Sequence, residues 1–116
     1  MATHLDDASF DAALASAELV IVDFFAGWCG HCVLLEPSFL QMADSFPGVR
    51  FAILDMERAP RARRTIRIDN LPFFALYREG RLAAALSTRS ERELFAWIEA
   101  HAGEPRSEAG RVRPAE

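Results

Sequence analysis

Leu19-Val20-Ile21-Val22-Asp23-Phe24-Phe25-Ala26-Gly27-Trp28-Cys29-Gly30-His31-Cys32 joins an apolar run, broken by a single acid, to a glycine-flanked turn that carries both cysteines of the chain. Residues 19–25 are rich in β-branched and aromatic side chains, the pattern of a strand buried on both faces, as parallel sheets require. The turn follows at 26–30. A long helix is then expected to about Phe46, because Leu35, Phe39, Met42 and Phe46 recur at helical offsets. Pro37 falls inside that helix and is expected to kink it. A buried strand running through a tight turn into a helix already sets an α/β architecture.

The flanking sequence fills in the rest. Upstream, Ala2–Leu5 reads as a short strand, and Asp6 or Asp7 caps a helix to about Ser16 with Phe10 and Leu14 on one face. Downstream, Pro47-Gly48 stops the long helix and Val49–Met56 reads as a strand. Pro60 suits the first turn of a short Arg-rich helix to about Arg67. Phe73–Arg78 and Leu82–Leu86 form a hairpin around Glu79-Gly80. Ser90-Glu91-Arg92-Glu93 matches a capping box, opening a helix with Leu94, Phe95 and Ile98 on its apolar face and Gly103 at its end. The predicted order is βαβαβαββα, a mixed central sheet flanked by helices on both faces. Residues 1–103 make one domain. Residues 104–116 hold Pro, Gly, Ser and charge with little to bury, and a disordered tail is expected there.

Composition agrees with a single globular domain: 116 residues, 51% hydrophobic and 26% charged. No apolar stretch approaches the roughly 18 to 20 residues that cross a bilayer, so no membrane association is expected. The net charge is −4, but residues 1–57 carry one Arg against nine acids and residues 58–116 twelve Arg against eight. An acidic domain must overcome phosphate repulsion, which argues against nucleic-acid binding. All thirteen basic residues are Arg. That usage is most simply a GC-rich coding bias, and it excludes a Lys Schiff base or a P-loop lysine. Arg58, Arg61, Arg63, Arg64 and Arg67 read first as a solvated face, with docking of an acidic partner as the alternative. The first seven residues show neither the basic start nor the apolar core of a secretory signal, which points to the cytoplasm.

The cysteine spacing has a chemical reading. On the first turn of a helix, residues i and i+3 are neighbours, so Cys29 and Cys32 can close one small disulfide ring. Cys29, at the helix N-terminus, meets the positive end of the helix dipole and free N–H groups, which favour the nucleophilic thiolate. Cys32, one turn in, can attack a mixed disulfide and release the partner. Gly30 lets a substrate backbone approach, and His31 can place positive charge beside the thiolate. Competing readings fit less well. Structural cysteines belong in helix or strand interiors rather than on such a turn, a zinc site lacks ligands, and haem attachment would need His where Val33 stands.

Asp23 is a lone carboxylate in an apolar strand. Burying it charged costs several kcal/mol, so its pKa should rise toward neutrality. That suits a general base acting on Cys32, the alternative being a carboxyl hydrogen-bonded for structure alone.

The segment Val22–Cys32 with Pro37 resembles the active-site segment of the thioredoxin family. The similarity extends through His4-Leu5-Asp6-Asp7-Ala8-Ser9-Phe10, Ile68-Asp69-Asn70-Leu71-Pro72 and Tyr77-Arg78-Glu79-Gly80, covering about residues 3–102. It implies the thioredoxin fold and dithiol–disulfide exchange. Cys29 would be the attacking thiol, Cys32 the resolving thiol, Asp23 the buried acid behind it, and Trp28 the ring shielding the site. Pro72 would be the family's cis-proline beside the disulfide. A groove of Trp28, Gly30, Leu71 and Pro72 would hold an extended substrate segment by backbone contacts. Phe73 is expected either to line that groove or to pack in the core.

Several positions depart from the family pattern. Gly30-His31 resembles the dipeptide of the protein disulfide isomerases, whereas Asp23 is thioredoxin-like. Ile53 replaces the Lys that relatives commonly carry near the buried acid, Val33 stands where Lys is frequent, and Thr88 lies near the usual groove glycine. The expected protein is a small monomeric reductase or exchanger of protein disulfides. It would be recharged by a separate thiol reductase or thiol pool. No bound cofactor or metal is expected, because the thiols supply the electrons. The alternatives are a non-enzymatic client-binding or chaperone module, and a thiol oxidase or isomerase.

Overall fold

A computed structural model describes residues 3–106. Its elements are β1 (Thr3–Leu5), α1 (Phe10–Leu14), β2 (Leu19–Phe25), α2 (Gly30–Met42), β3 (Val49–Asp55), α3 (Pro60–Arg64), β4 (Phe73–Arg78), β5 (Arg81–Ser87) and α4 (Glu91–Ala102). The expected mixed α/β sheet is present, with strands in the order β1-β3-β2-β4-β5. β2 lies at its centre, parallel to β3 and antiparallel to β4. That position explains the unbroken apolar run, because both faces of β2 are covered.

Alternation along β2 sends its side chains into two separate cores. Val20, Val22 and Phe24 pack with Phe10 and Leu14 of α1, Met56, and Ala59 and Ala62 at α3. Ile21 packs instead with Leu35, Phe39 and Met42 of α2 and with Leu94, Phe95 and Ile98 of α4. Phe39 is the keystone of this second core, its ring centroid 5.0 Å from Phe51 and 5.3 Å from Phe74.

Element ends follow local hydrogen bonding. The β4–β5 turn has positive φ at Glu79 (52°) and Gly80 (80°), as a two-residue hairpin turn demands. Ser90 caps α4 by accepting the N–H of Glu93 at 3.0 Å, and Gly103, at φ 90°, closes it. The Glu93 carboxylate binds the Thr88 hydroxyl instead of completing the box.

Three helices are shorter than their sequence patterns suggest. α1 stops at Leu14, where the Ser16 hydroxyl donates to the Ala13 carbonyl at 2.6 Å. α2 continues through Pro37 but ends at Met42, and a 3-10 turn (Ala43–Ser45) tightens the chain before buried Phe46. α3 ends at Arg64 because the Thr65 hydroxyl takes the Ala62 carbonyl at 2.6 Å, and Ile66 and Ile68 then turn toward the first core.

The two candidate caps of α1 separate. Asp6 and Ser9 exchange hydrogen bonds in front of it (3.0 and 2.9 Å). Asp7 reaches α3, accepting the N–H groups of Arg61 and Ala62 at 3.0 and 2.8 Å. Of the tail expected over 104–116, residues from 107 onward lie outside the described ones. Residues 104–106 pack back on the fold: Pro105 is buried, and the Arg106 N–H donates to the Ser45 carbonyl at 2.7 Å.

Candidate active site

The two cysteines sit where β2 ends and α2 begins. Cys29 is the extended residue capping α2 and Cys32 lies in its first turn; the two are joined as a disulfide with Cα atoms 5.3 Å apart. The Cys32 N–H donates to the Cys29 sulfur at 3.2 Å, so a backbone donor of the helix N-terminus is aimed at that atom. Both residues are nearly covered, at 7% and 2% exposure, and Cys29 alone faces the groove described below.

Asp23 lies beneath α2. Its sheet partners are Ile53 on β3 and Phe74 on β4, both members of the α2–α4 core. In a sheet, paired residues project to the same face, so the carboxyl and the buried face of α2, Cys32 included, share one layer. Its Oδ1 is buried and has no hydrogen-bond partner among the described residues. Burial pushes the Asp23 pKa up to about 8, and the nearby Glu36 carboxylate on α2 adds to the rise. The apolar Ile53 directly opposite offers no counter-charge.

A groove of about 510 Å³ runs past the disulfide, lined by Trp28, Cys29, Gly30, His31, Met56 and Leu71, among others. Trp28 is 70% exposed, and its indole N–H donates to Glu57 at 3.1 Å, which steadies the ring beside the sulfur. A side chain at Gly30 would meet open space, so a partner can approach there. The Leu71–Pro72 peptide bond is cis, as the resemblance implied. Pro72 is buried next to the lining residue Leu71, and its carbonyl accepts the Ser87 hydroxyl at 3.0 Å.

Not every expected residue joins this site. Phe73 takes the core role, 7% exposed, its ring 6.0 Å from that of Phe24. Thr88 is turned into the α4 cap, accepting the Ser90 N–H at 3.0 Å. Val33 is exposed on α2 next to Leu34, and the two add an apolar shoulder beyond Cys32.

Three groups at the site were missed in the sequence. Arg89, in the β5–α4 loop, places a guanidinium nitrogen 3.0 Å from Nε2 of His31. The Arg89 guanidinium thus sets a permanent positive charge beside His31. Glu57 and Glu36 are the other two. None has a local motif; the helical offset of Glu36, four residues after Cys32, is the one signal that could have flagged any of them.

Comparison with known proteins agrees with this geometry. The chain is 39% identical over 74 residues to rice Thioredoxin H2-1, covering 64% of this chain and 54% of that protein, so it spans about half the relative's length. It is 35% identical over 83 residues to Thioredoxin-2 of Saccharomyces cerevisiae, covering 70% and 80% of the two chains. Plasmodium falciparum thioredoxin superposes with a TM-score of 0.82 at 29% identity, over 86% of this chain and 99% of that one. With the family model for thioredoxin matching residues 1–100, a stretch that includes the paired Cys29 and Cys32, the chain belongs to the thioredoxin family.

Proposed function

We propose that the protein is a protein-disulfide reductase, working as a monomer in the reducing cytoplasm and recharged by a thiol reductase or thiol pool. The observation that carries this reading is the Cys29–Cys32 pair at the head of α2, opening on a groove. Both cysteines of the chain are committed to that pair, which leaves none for the structural cross-links typical of oxidising compartments.

In the reduced protein the Cys29 thiolate attacks one sulfur of a substrate disulfide. A Cys29–substrate disulfide forms, and the first substrate thiolate leaves and takes up a proton. Cys32 then gives its proton to Asp23 and attacks the Cys29 sulfur. The intramolecular disulfide forms, the second substrate thiolate leaves, and two electrons have passed from protein to substrate. With its pKa raised to about 8, Asp23 is a far stronger base than an ordinary carboxylate, which suits it to take the Cys32 proton. Trp28, Gly30, His31, Leu71 and Pro72 form the wall against which the substrate strand lies.

The competing reading, a thiol oxidase or isomerase, draws on the Gly30-His31 dipeptide. Equilibration of the pair with glutathione decides between them. A potential at or below roughly −250 mV marks a reductase, and one above about −200 mV an oxidant or isomerase. A Cys32→Ser variant should accumulate substrate on Cys29, and a Cys29→Ser variant should accumulate none. If no reversible disulfide forms, the enzyme reading fails and a client-binding module takes its place.

A further inference from the structure

Residues 58–67 carry five arginines, and four of them have an acidic neighbour within the fold. Arg58 lies 3.9 Å from Asp55, and Arg67 lies 3.1 Å from Asp69. Arg61 pairs with Asp11 at 3.2 Å and also binds the Asp7 carbonyl. Arg64 lies in the field of Asp7. Among the described residues the guanidinium of Arg63 makes no ion pair or hydrogen bond, and it is exposed.

Arg63 is also the arginine that lines the groove beside Cys29. It lines the adjoining trough of about 460 Å³ as well, with Pro60 and Arg64 on one side and Trp28, Met56 and Glu57 on the other. Trp28, Met56 and Arg63 are common to both, so the two adjoin along these side chains. Asp69 is paired with Arg67, whereas Glu57 accepts only the neutral Trp28 indole N–H and keeps its charge in the trough, opposite in sign to Arg63 and Arg64. Of the five arginines, Arg63 is the one that lines the groove holding Cys29, where a segment attached to that sulfur must lie.

We propose that Arg63 is a specificity-determining residue that favours substrate segments bearing an acidic side chain close to the target cysteine. The inference rests on the reductase reading above and extends it to a substrate class. Because Arg63 and Cys29 line the same groove, the acid is restricted to residues near the disulfide, and the solvated position of Arg63 makes the preference sensitive to salt.

The test uses the full-length protein, pre-reduced and in excess, so that single turnovers are read without an electron donor. Two fluorogenic disulfide-linked peptides are compared, identical except for two Glu or two Gln flanking the cysteine. The wild-type rate ratio, acidic over neutral, should be about three- to five-fold at low ionic strength, the upper part of what an exposed ion pair supplies, and should shrink toward one in 0.5 M salt. Arg63→Gln should bring the ratio near one, and Arg63→Glu should reverse it. Equal ratios in wild type and both variants, or a loss of rate shared equally by the two peptides, would overturn the inference while leaving the reductase reading intact. If wild type reduces neither peptide, the reductase reading itself fails and takes this inference with it.

Discussion

Ile53→Lys places an ammonium group opposite Asp23 in the sheet, and its effect can be worked out in advance. The two residues are register partners on adjacent parallel strands, about 4.8 Å apart in the backbone and pointing to the same face. Unit charges about 5 Å apart, at an effective dielectric of about 20, attract by about 3 kcal/mol. At about 1.36 kcal/mol per unit, that lowers the acid by about 2 pKa units. Asp23 should therefore fall from about 8 to near 6. Carboxyl carbon shifts followed by NMR across pH 4–10 give the midpoint directly. The rate at which Cys32 resolves a trapped mixed disulfide should move its pH profile by a similar amount. The introduced side chain is itself buried at a position that is 1% exposed, so its ammonium signal must be followed in the same titration. A charged ammonium with the Asp23 midpoint still near 8 would refute the pairing of the two side chains, and an Asp23 midpoint near 6 with an unmoved Cys32 profile would refute Asp23 as the group that handles the Cys32 proton.

Two further outcomes follow from burial. Because Asp23 titrates higher folded than its ordinary value of 3.8, the native state holds more protons than the unfolded chain between those pH values, and stability declines as pH rises from about 4 to about 8. Asp23→Asn removes that decline. Its advantage in urea unfolding of the oxidised protein should be small at pH 4 and largest above pH 8, with a ceiling on the order of 5 kcal/mol, and a pH-independent difference would contradict the assignment. Phe39→Ala empties the centre of the α2–α4 core, where the ring is fully buried between Phe51 and Phe74, and should cost about 3–5 kcal/mol in urea unfolding; a loss below about 1 kcal/mol would show that the layer closes over the gap.

What was legible in the sequence was whatever is encoded within one element or turn. The buried strand 19–25, the cysteine pair at a helix start, the Glu79-Gly80 hairpin and the Ser90 cap all declare themselves over fewer than ten residues, and the structure has each of them. The family resemblance added the cis bond at Pro72, which a turn proline alone would not have indicated. Helix ends were less legible, because single hydroxyls at Ser16 and Thr65 decide them. Partners of charged side chains were not legible at all. Asp7 reads as a local cap, yet its carboxylate serves a helix more than fifty residues away, and Arg89 meets His31 only because the β5–α4 loop returns to the head of α2. Such pairings are set by topology, and exposed Arg, Asp and Glu carry no periodic signal that reveals them.

The division of β2 between two cores has a consequence for how this site can change. Met56, Ile68 and Leu71, which shape the groove, belong to the layer on one face of the sheet, while Asp23, Ile53 and the buried side of α2 belong to the other. The disulfide stands where β2 gives way to α2. On the function proposed above, partner choice and proton handling are written on opposite sides of one five-stranded wall. Substitutions on one side can then redraw the groove while the acid, its sheet neighbours and the chemistry stay as they were.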